Sequence, residues 1–259
     1  MGEVRIGTSG YSFKDWVGPY YPKGTKSGDM LEHYARDFDT VEVNYSYYRM
    51  PTERTTAGMV RKTPEGFRFF VKAHKSATHE RDLAGTGDFL AALAPMRSEG
   101  RLSGVLFQFP QSFKNTAENR KYLKAVSEAF GGDIPLAVEF RDRSWDSEAV
   151  YSYLEETGLN FVAVDEPEVS TLFPRVARAT GGVGYLRLHS RDGARWYKGG
   201  AARYDYLYSE AELREWLPGL REMAAKARTL FVYFNNCHAA QAVRNARRMK
   251  ELLSQTRLW

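Results

Sequence analysis

The sequence predicts an α/β fold, a single (β/α)8 barrel of the TIM type spanning residues 1–259 as one domain. Three observations carry this expectation. Eight short segments read as strands, and helical patterns separate nearly all of them; such alternation yields parallel strands joined by right-handed crossovers. The strands are apolar on one face and increasingly polar on the other toward their C-termini, whereas strands of an open doubly wound sheet are apolar on both. A length of 259 residues also suits one barrel, typically about 250 residues.

The elements follow in order. Val4–Gly7 is a short strand, followed by a long aromatic loop punctuated by Gly and Pro and a helix from about Asp29 to Asp37. In the second strand, Thr40–Asn44, Val41 and Val43 face one way and Glu42 and Asn44 the other, by the two-residue period of strands. Pro51-Thr52 opens the next helix. Phe67–His74 is the third strand, with Phe70, Lys72 and His74 on one face. Its loop, with Thr78 and His79, leads to a helix through Phe89, Leu93 and Met96. Leu102–Phe109 is the fourth strand, with Leu106 and Gln108 inward, and a helix of about Ala117–Phe130 follows. The fifth strand begins at Leu136 and puts Glu139 and Arg141 inward. Ser144-Trp145-Asp146 then leads into a helix over about Ser147–Thr157, with Gly158 as its C-cap.

Asn160–Asp165 is the sixth strand, read with Val162 and Val164 outward and Phe161, Ala163 and Asp165 inward. Residues 166–180 hold two prolines and little periodicity, so any helix there is short or irregular. Gly184–His189 is the seventh strand, with Tyr185, Arg187 and His189 inward. A long basic and aromatic loop precedes a helix over about Ser209–Ala227. Leu230–Asn236 is the eighth strand, with Tyr233 and Asn235 inward, and a basic helix over about Ala239–Leu253 closes the chain.

Composition narrows the function classes. The chain is 43% hydrophobic and 27% charged, ordinary for a globular protein. No apolar run matches a secretory signal, and none approaches the roughly 20 residues of a membrane span. These absences point to a cytoplasmic protein without a membrane partner. One cysteine, Cys237, excludes an internal disulfide and a cysteine-built zinc site. The net charge of +5 is compatible with an anionic partner, although a solvated basic surface explains it as well. Nothing in the sequence sets the oligomeric state.

Barrel chemistry gathers at the C-terminal ends of the strands. Inward parity there assembles Glu42, Asn44, Lys72, His74, Gln108, Glu139, Arg141, Asp165, Arg187, His189 and Asn235. So many buried charges are costly unless they frame a site. Three acids, Glu42, Glu139 and Asp165, balance three cations, Lys72, Arg141 and Arg187. The cations suit an oxyanion such as phosphate or carboxylate, which Arg binds bidentately. Glu42, Glu139, Asp165 and His189 are the candidate catalytic groups. The other inward residues, with Tyr48 and Trp145, are candidates for substrate binding. No cofactor or metal is expected, although His74, His189, Glu42, Glu139 and Asp165 offer nitrogen and oxygen ligands for a divalent ion. Glu42 and Glu139 as acid and base on a glycosidic bond are an alternative. A non-catalytic module holding a small acidic ligand or nucleic acid is another. A Cys237–His238 thiolate pair is disfavoured, because adjacent residues of a strand diverge. Tyr11, Tyr47, Tyr48, Trp145, Trp196 and Tyr197 sit where they line a mouth or pack on its rim. The basic residues of 191–203 are a candidate polyanion contact. Arg244, Arg247, Arg248 and Lys250 read as a solvated helix face.

The segments IGTSGY, FDTVEVN with YRMP, FVKA with TH beyond it, LFQFP, AVEFRDRSW, YLRLHS and VYFNN resemble, in order and over almost the whole chain, the YecE-like family (domain of unknown function seventy-two). The resemblance implies a TIM barrel and no established reaction. The likeness of such barrels to apurinic endonucleases and xylose isomerases implies nucleic-acid or metal chemistry by fold analogy alone. Carried over by motif, the notable positions are Glu42, Asn44, Tyr48, Lys72, Thr78, His79, Gln108, Glu139, Arg141, Trp145, Arg187, His189, Asn235 and Asn236. Ser190 and Cys237-His238 depart from the family pattern at the rim. The function expected is a hydrolase- or lyase-like enzyme for an anionic, phosphate-containing substrate, with nucleic acid among the candidates.

Overall fold

Eight strands, β1 (Glu3–Thr8), β2 (Thr40–Val43), β3 (Arg68–Lys72), β4 (Leu102–Gln108), β5 (Leu136–Glu139), β6 (Asn160–Asp165), β7 (Val183–Leu188) and β8 (Thr229–Phe234), form the sheet. A computed structural model of the chain describes residues 2–198 and 200–255. Every strand pairs in parallel with its sequence neighbour from β2 to β8, and β8 pairs with β1. The remaining seam closes at one point. Ser9, just past β1, bridges Glu42 of β2, and the Gly10 N–H donates to the Glu42 carbonyl at 2.8 Å. The result is the expected (β/α)8 barrel.

Among the described residues the helices are α1 (Met30–Tyr34), α2 (Tyr45–Tyr48), α3 (Glu53–Arg61), α4 (Thr86–Ala92), α5 (Ala94–Ser98), α6 (Ala117–Phe130), α7 (Glu148–Thr157), α8 (Gly193–Trp196), α9 (Glu210–Glu215), α10 (Leu217–Lys226) and α11 (Gln241–Gln255). Their starts follow side-chain capping. Thr52, Thr116 and Ser147 each accept from a backbone N–H three residues on, and Ser209 with Glu212 makes a capping box. Gly158, at φ 70°, ends α7 in the left-handed conformation. Two helices that the periodicity reads as continuous are divided, α4 from α5 and α9 from α10. Pro95 and Pro218 lie in the first turn of each second piece, where a missing N–H is tolerated but the preceding helix cannot run through. Residues 166–182 contain no helix among those described.

The pairing register decides which side chains enter the barrel, and it corrects one strand. Val162 pairs with Tyr185 and Val164 with Arg187. Both partners point inward, so Val162, Val164 and then Glu166 share the inner face. Phe161, Ala163 and Asp165 therefore face the helices. Phe161 lies with its ring centroid 5.2 Å from that of Tyr151 on α7. The sequence reading had this strand reversed. NFVAVD is apolar on both faces, so alternation alone carries no parity signal there.

Below the mouth the interior is aromatic. Phe70 meets Tyr185 edge-on at 4.6 Å and Phe231 at 5.5 Å, and Phe231 stacks on Tyr233 at 6.0 Å. The Tyr233 hydroxyl shares a 2.6 Å hydrogen bond with Thr40. This layer floors the mouth and keeps it apart from the far end of the barrel. Gly104 makes the layer possible: a Cβ there would stand 2.5 Å from both the Phe70 ring and the Pro135 carbonyl. Gly104→Ala is expected to destabilise the fold by about 1–3 kcal/mol through overpacking. A urea unfolding midpoint equal to that of the parent protein would contradict the assignment.

Candidate functional site

At the C-terminal end of the barrel, five charged side chains alternate in sign. Arg187 on β7 is the centre. Its Nε and one terminal nitrogen donate to the two carboxylate oxygens of Glu42 at 2.8 and 2.7 Å, and its other terminal nitrogen reaches Glu139 at 2.5 Å. Glu139 also pairs with Arg141 at 2.6 Å, and Arg141 pairs with Glu166 at 2.5 Å. The order is Glu42, Arg187, Glu139, Arg141, Glu166, all buried. The Tyr185 hydroxyl donates to Glu42 at 2.6 Å. His189 stands beside the chain: its Nδ1 lies 2.9 Å from the Asn235 amide nitrogen and its Nε2 3.6 Å from Glu139. Nε2 also lies 3.2 Å from a terminal nitrogen of Arg141, so donor groups of Asn235 and Arg141 face the two ring nitrogens.

Above this chain opens a cavity of about 420 Å³. Lys72, Arg141, Arg187 and Arg203 line it, with His79, His189, Gln108, Asn235 and the rings of Tyr47, Tyr48, Trp196, Tyr197 and Tyr204. No carboxylate is among the described residues of its wall. The glutamates lie behind their guanidinium partners, so the face offered to a ligand is made of donors and rings. Arg203 lies 3.8 Å above the Trp196 ring and forms no ion pair among the described residues. Lys72 donates to Gln108 Oε1 at 2.8 Å and lies 4.5 Å over the Tyr47 ring. Tyr48 and Tyr197, 75% and 61% exposed, form the rim. A second chamber of about 160 Å³ adjoins, sharing Lys72, Arg187 and Asn235 and adding Ser9, Phe13, Asn44 and Cys237.

Burial and neighbouring charge set the ionisation. Burial works to raise Glu42 and Glu139, but the guanidinium charges outweigh it: Arg187 holds Glu42 below the usual carboxylate range, and Arg141 with Arg187 holds Glu139 well below it. Both are therefore ionised and poor proton donors. Glu166 goes the other way, raised by burial to about 7 despite Arg141. Burial, then the charge of Arg187, brings the Lys72 amine down to about 7. Burial and Arg141 hold His189 well below the ordinary imidazole value, and burial with Lys72 lowers His79, so both rings are neutral at pH 7.

Of the residues singled out from sequence, Lys72, Gln108, Arg141, Arg187, His189, Asn235 and Tyr48 line the main cavity, and Asn44 lines the adjoining chamber. Glu42 and Glu139 lie directly beneath. Three others are corrected. Asp165 faces outward, where it accepts from Arg191 at 2.8 Å and from the Trp216 indole at 2.6 Å; Glu166 takes its place in the mouth. His74 lies beyond the end of β3, with Nδ1 3.0 Å from the Ser76 hydroxyl at the turn Ser76–Glu80, and His79 of that turn supplies the imidazole instead. Trp145 is buried between Phe113 and Phe140, ring centroids 5.4 and 4.3 Å away, and donates to the Phe113 carbonyl; it is core.

Of the five residues suggested for a divalent ion, Asp165 faces the helices and His74 lies beyond the end of β3, and no group of three or more His, Cys, Asp or Glu side chains that could hold a metal is found among the described residues. Cys237 is buried beside the Ser9 carbonyl, with its thiol pushed up by burial, while His238 faces Asp15. In the basic loop, Arg191 pairs with Asp165 and Glu215, and Arg195 with Asp192 and Asp205. On α11, Arg247 pairs with Asp37 and Arg248 with Glu210 and Glu251. Sequence reasoning missed Glu166 and Tyr204, and held Arg203 only as one of the basic residues of a candidate polyanion loop. The register against Arg187 signals the first, whereas the other two lie in a loop without periodicity.

The family model described as "Protein of unknown function DUF72" matches residues 5–258. The chain is 34% identical over 270 residues to UPF0759 protein YunF of Bacillus subtilis (strain 168), covering 96% of this chain and 94% of that one. It is similar to the crystal structure of a DUF72 family protein from Thermotoga maritima MSB8, with TM-score 0.90, 39% identity and coverage of 97% and 99% of the two chains. A DUF72 family protein from Enterococcus faecalis V583 aligns with TM-score 0.86, 26% identity and coverage of 97% and 95%.

Two outcomes test the charge chain. Arg187→Met strands the buried Glu42, leaves Glu139 with Arg141 alone, and is expected to cost about 3–5 kcal/mol in urea unfolding. The pH dependence separates the carboxylates. Glu42 and Glu139, lowered on folding, stabilise the protein above the ordinary glutamate range and lose that contribution as pH falls toward their folded values. Glu166, raised from 4.5 to about 7, binds more protons folded than unfolded in that window, so its contribution declines as pH rises through it. Glu166→Gln should abolish that decline; identical slopes for both proteins between pH 4.5 and 7 would refute the assignment.

Proposed function

The chain belongs to the DUF72 family, and from that premise we propose that its barrel mouth binds a small anionic ligand, a phosphate ester by preference, and acts on it with hydrolase- or lyase-like acid–base chemistry. The observation that carries this reading is the cavity wall: four cations and no carboxylate among its described residues. Two of those cations, Lys72 and Arg203, have no carboxylate partner there. An anion entering the cavity supplies the missing charge, and the remaining outer N–H groups of Arg141 and Arg187 supply directed donors. Nitrogen groups then carry the proton transfers. His189 lines the cavity as a neutral ring and is the candidate base, with Glu139 stabilising the imidazolium that forms. Glu42 and Glu139 fix the guanidiniums rather than face the ligand.

The glycosidic alternative is not favoured, because it needs a protonated carboxyl facing the substrate. Nucleic acid is a second reading, supported by the exposed rings of Tyr48 and Tyr197 at the rim, on which a base can stack. The volume of the cavity favours a small molecule.

Calorimetric titration tests both. Inorganic phosphate and small phosphate monoesters should bind, and Arg203→Ala or Lys72→Met should weaken binding at least about tenfold, equivalent to about 1.4 kcal/mol. His189→Asn should retain binding and lose turnover of whichever ester is processed. Absence of phosphate binding at low ionic strength, or affinity unchanged in both cation variants, would sink the proposal. Tight single-strand binding with a steep salt dependence would instead favour nucleic acid.

A further inference from the structure

Lys72 differs from the other cations of the mouth. Arg141 and Arg187 each pair with two glutamates, and Arg203 is a guanidinium, which stays protonated. Lys72 is an amine at the end of β3, held by the Gln108 side-chain carbonyl at 2.8 Å and by the Tyr47 ring at 4.5 Å. It makes no ion pair with a carboxylate among the described residues, because Arg187 occupies both nearby glutamates. Its side chain borders the main cavity and the adjoining chamber. His79 lines the same wall, edge-on to Tyr47 at 5.2 Å, with its Nδ1 2.9 Å from the Thr78 hydroxyl. A lone amine, desolvated beside a guanidinium and facing a cavity, is the arrangement that makes a lysine nucleophilic.

We propose that Lys72 forms an imine with an aldehyde or ketone that carries a phosphate group. The proposal rests on the anion site for the seat of the phosphate. A large fraction of the amine is unprotonated at pH 7, since burial and then Arg187 bring it to about 7. The nitrogen lone pair attacks the carbonyl carbon and a C–N bond forms. The carbonyl π pair moves to oxygen, which takes the first nitrogen proton, giving a carbinolamine. Hydroxide and the second nitrogen proton then leave together as one water, and the nitrogen lone pair closes the C=N bond. His79, neutral in the same wall and on the same Tyr47 ring, is the candidate to receive the amine proton and return it to the departing oxygen. No oxidant or further reactant is needed. Imine formation would make the carbon next to the carbonyl acidic, which fits a lyase more closely than a hydrolase.

Trapping with borohydride tests this on the unmodified protein. Pyridoxal 5′-phosphate serves as the aldehyde-bearing phosphate and pyridoxal as its phosphate-free control, followed by reduction and peptide mapping by mass spectrometry. Lys72 should be labelled at least about tenfold faster than the exposed Lys124, which is 70% accessible. Its rate should rise through about pH 7, and inorganic phosphate should protect it. Lys72→Arg should lose that label while the surface lysines keep theirs. Labelling of Lys72 no faster than Lys124, in a protein that binds inorganic phosphate, overturns the nucleophile and leaves the anion site standing. Equally fast labelling by both aldehydes without protection by phosphate supports the nucleophile and overturns the anion site and the phosphate-bearing ligand.

Discussion

Arg187 between Glu42 and Glu139 is the contact on which the mouth depends. Each of these ions, alone in a barrel interior, would carry a desolvation penalty of several kcal/mol. Alternation of sign removes that obstacle, because every buried charge meets an opposite one at hydrogen-bond distance. The chain also ties together β2, β5, β7 and the segments after β5 and β6. It sits on the aromatic layer of Phe70, Tyr185 and Phe231, whose low polarity strengthens each interaction. The seam between β1 and β2, closed at Ser9 and Glu42, lies at the same level. Barrel closure and charge pairing thus share Glu42.

A second network, outside the barrel, supports the loop that covers one side of the mouth. Asp165 holds Arg191, which also reaches Glu215 of α9, and accepts from Trp216. Asn245 of α11 accepts from the Tyr208 N–H and donates to the Tyr208 carbonyl. These contacts fasten both ends of the stretch that delivers Trp196, Arg203 and Tyr204 to the cavity. Asp165 therefore bears on the site indirectly, through the anchoring of that loop. Loops that carry binding groups are commonly fixed by the scaffold in this way.

The fold was legible because most of the strands alternate and helical patterns separate them. Ser147 and Gly158 bound one of those helices, whereas Pro95 and Pro218 divide helices that periodicity alone joins. Glu42, Lys72, Gln108, Glu139, Arg141, Arg187 and His189 were legible for the same reason: inward parity is a local property of a strand. The sixth strand was not, because valine and phenylalanine occupy both faces and the acids Asp165 and Glu166 are adjacent. Only pairing with Arg187, a non-local fact, selects between them. His74 and His79 were separated by where β3 stops, five residues apart across a turn. Trp145 follows a charged motif in sequence yet packs on Phe140 and Phe113, since an aromatic after a strand end fills core as readily as it lines a mouth. Arg203 lies in a loop, where no period relates position to direction.

The same alternation of charge narrows the chemistry. A carboxylate can serve as acid or nucleophile only where it reaches the ligand, and here each inward glutamate is turned to a guanidinium. Glu42 and Glu139 are held ionised by their partners. Glu166, the one raised toward neutrality, is buried behind Arg141. The groups that meet a ligand are an amine, two neutral imidazoles, amides, guanidiniums and rings. The carboxylates bear on those groups through the guanidiniums they hold. Burial, and then the charge of Arg187, lowers the proton affinity of Lys72, and Glu42 and Glu139, both paired with Arg187, form no ion pair with it. Had either glutamate turned to Lys72, the amine would be a fixed ammonium and a binding group only. The ion pairs that allow charge to be buried in this barrel are thus what the proposed reactivity of Lys72 rests on.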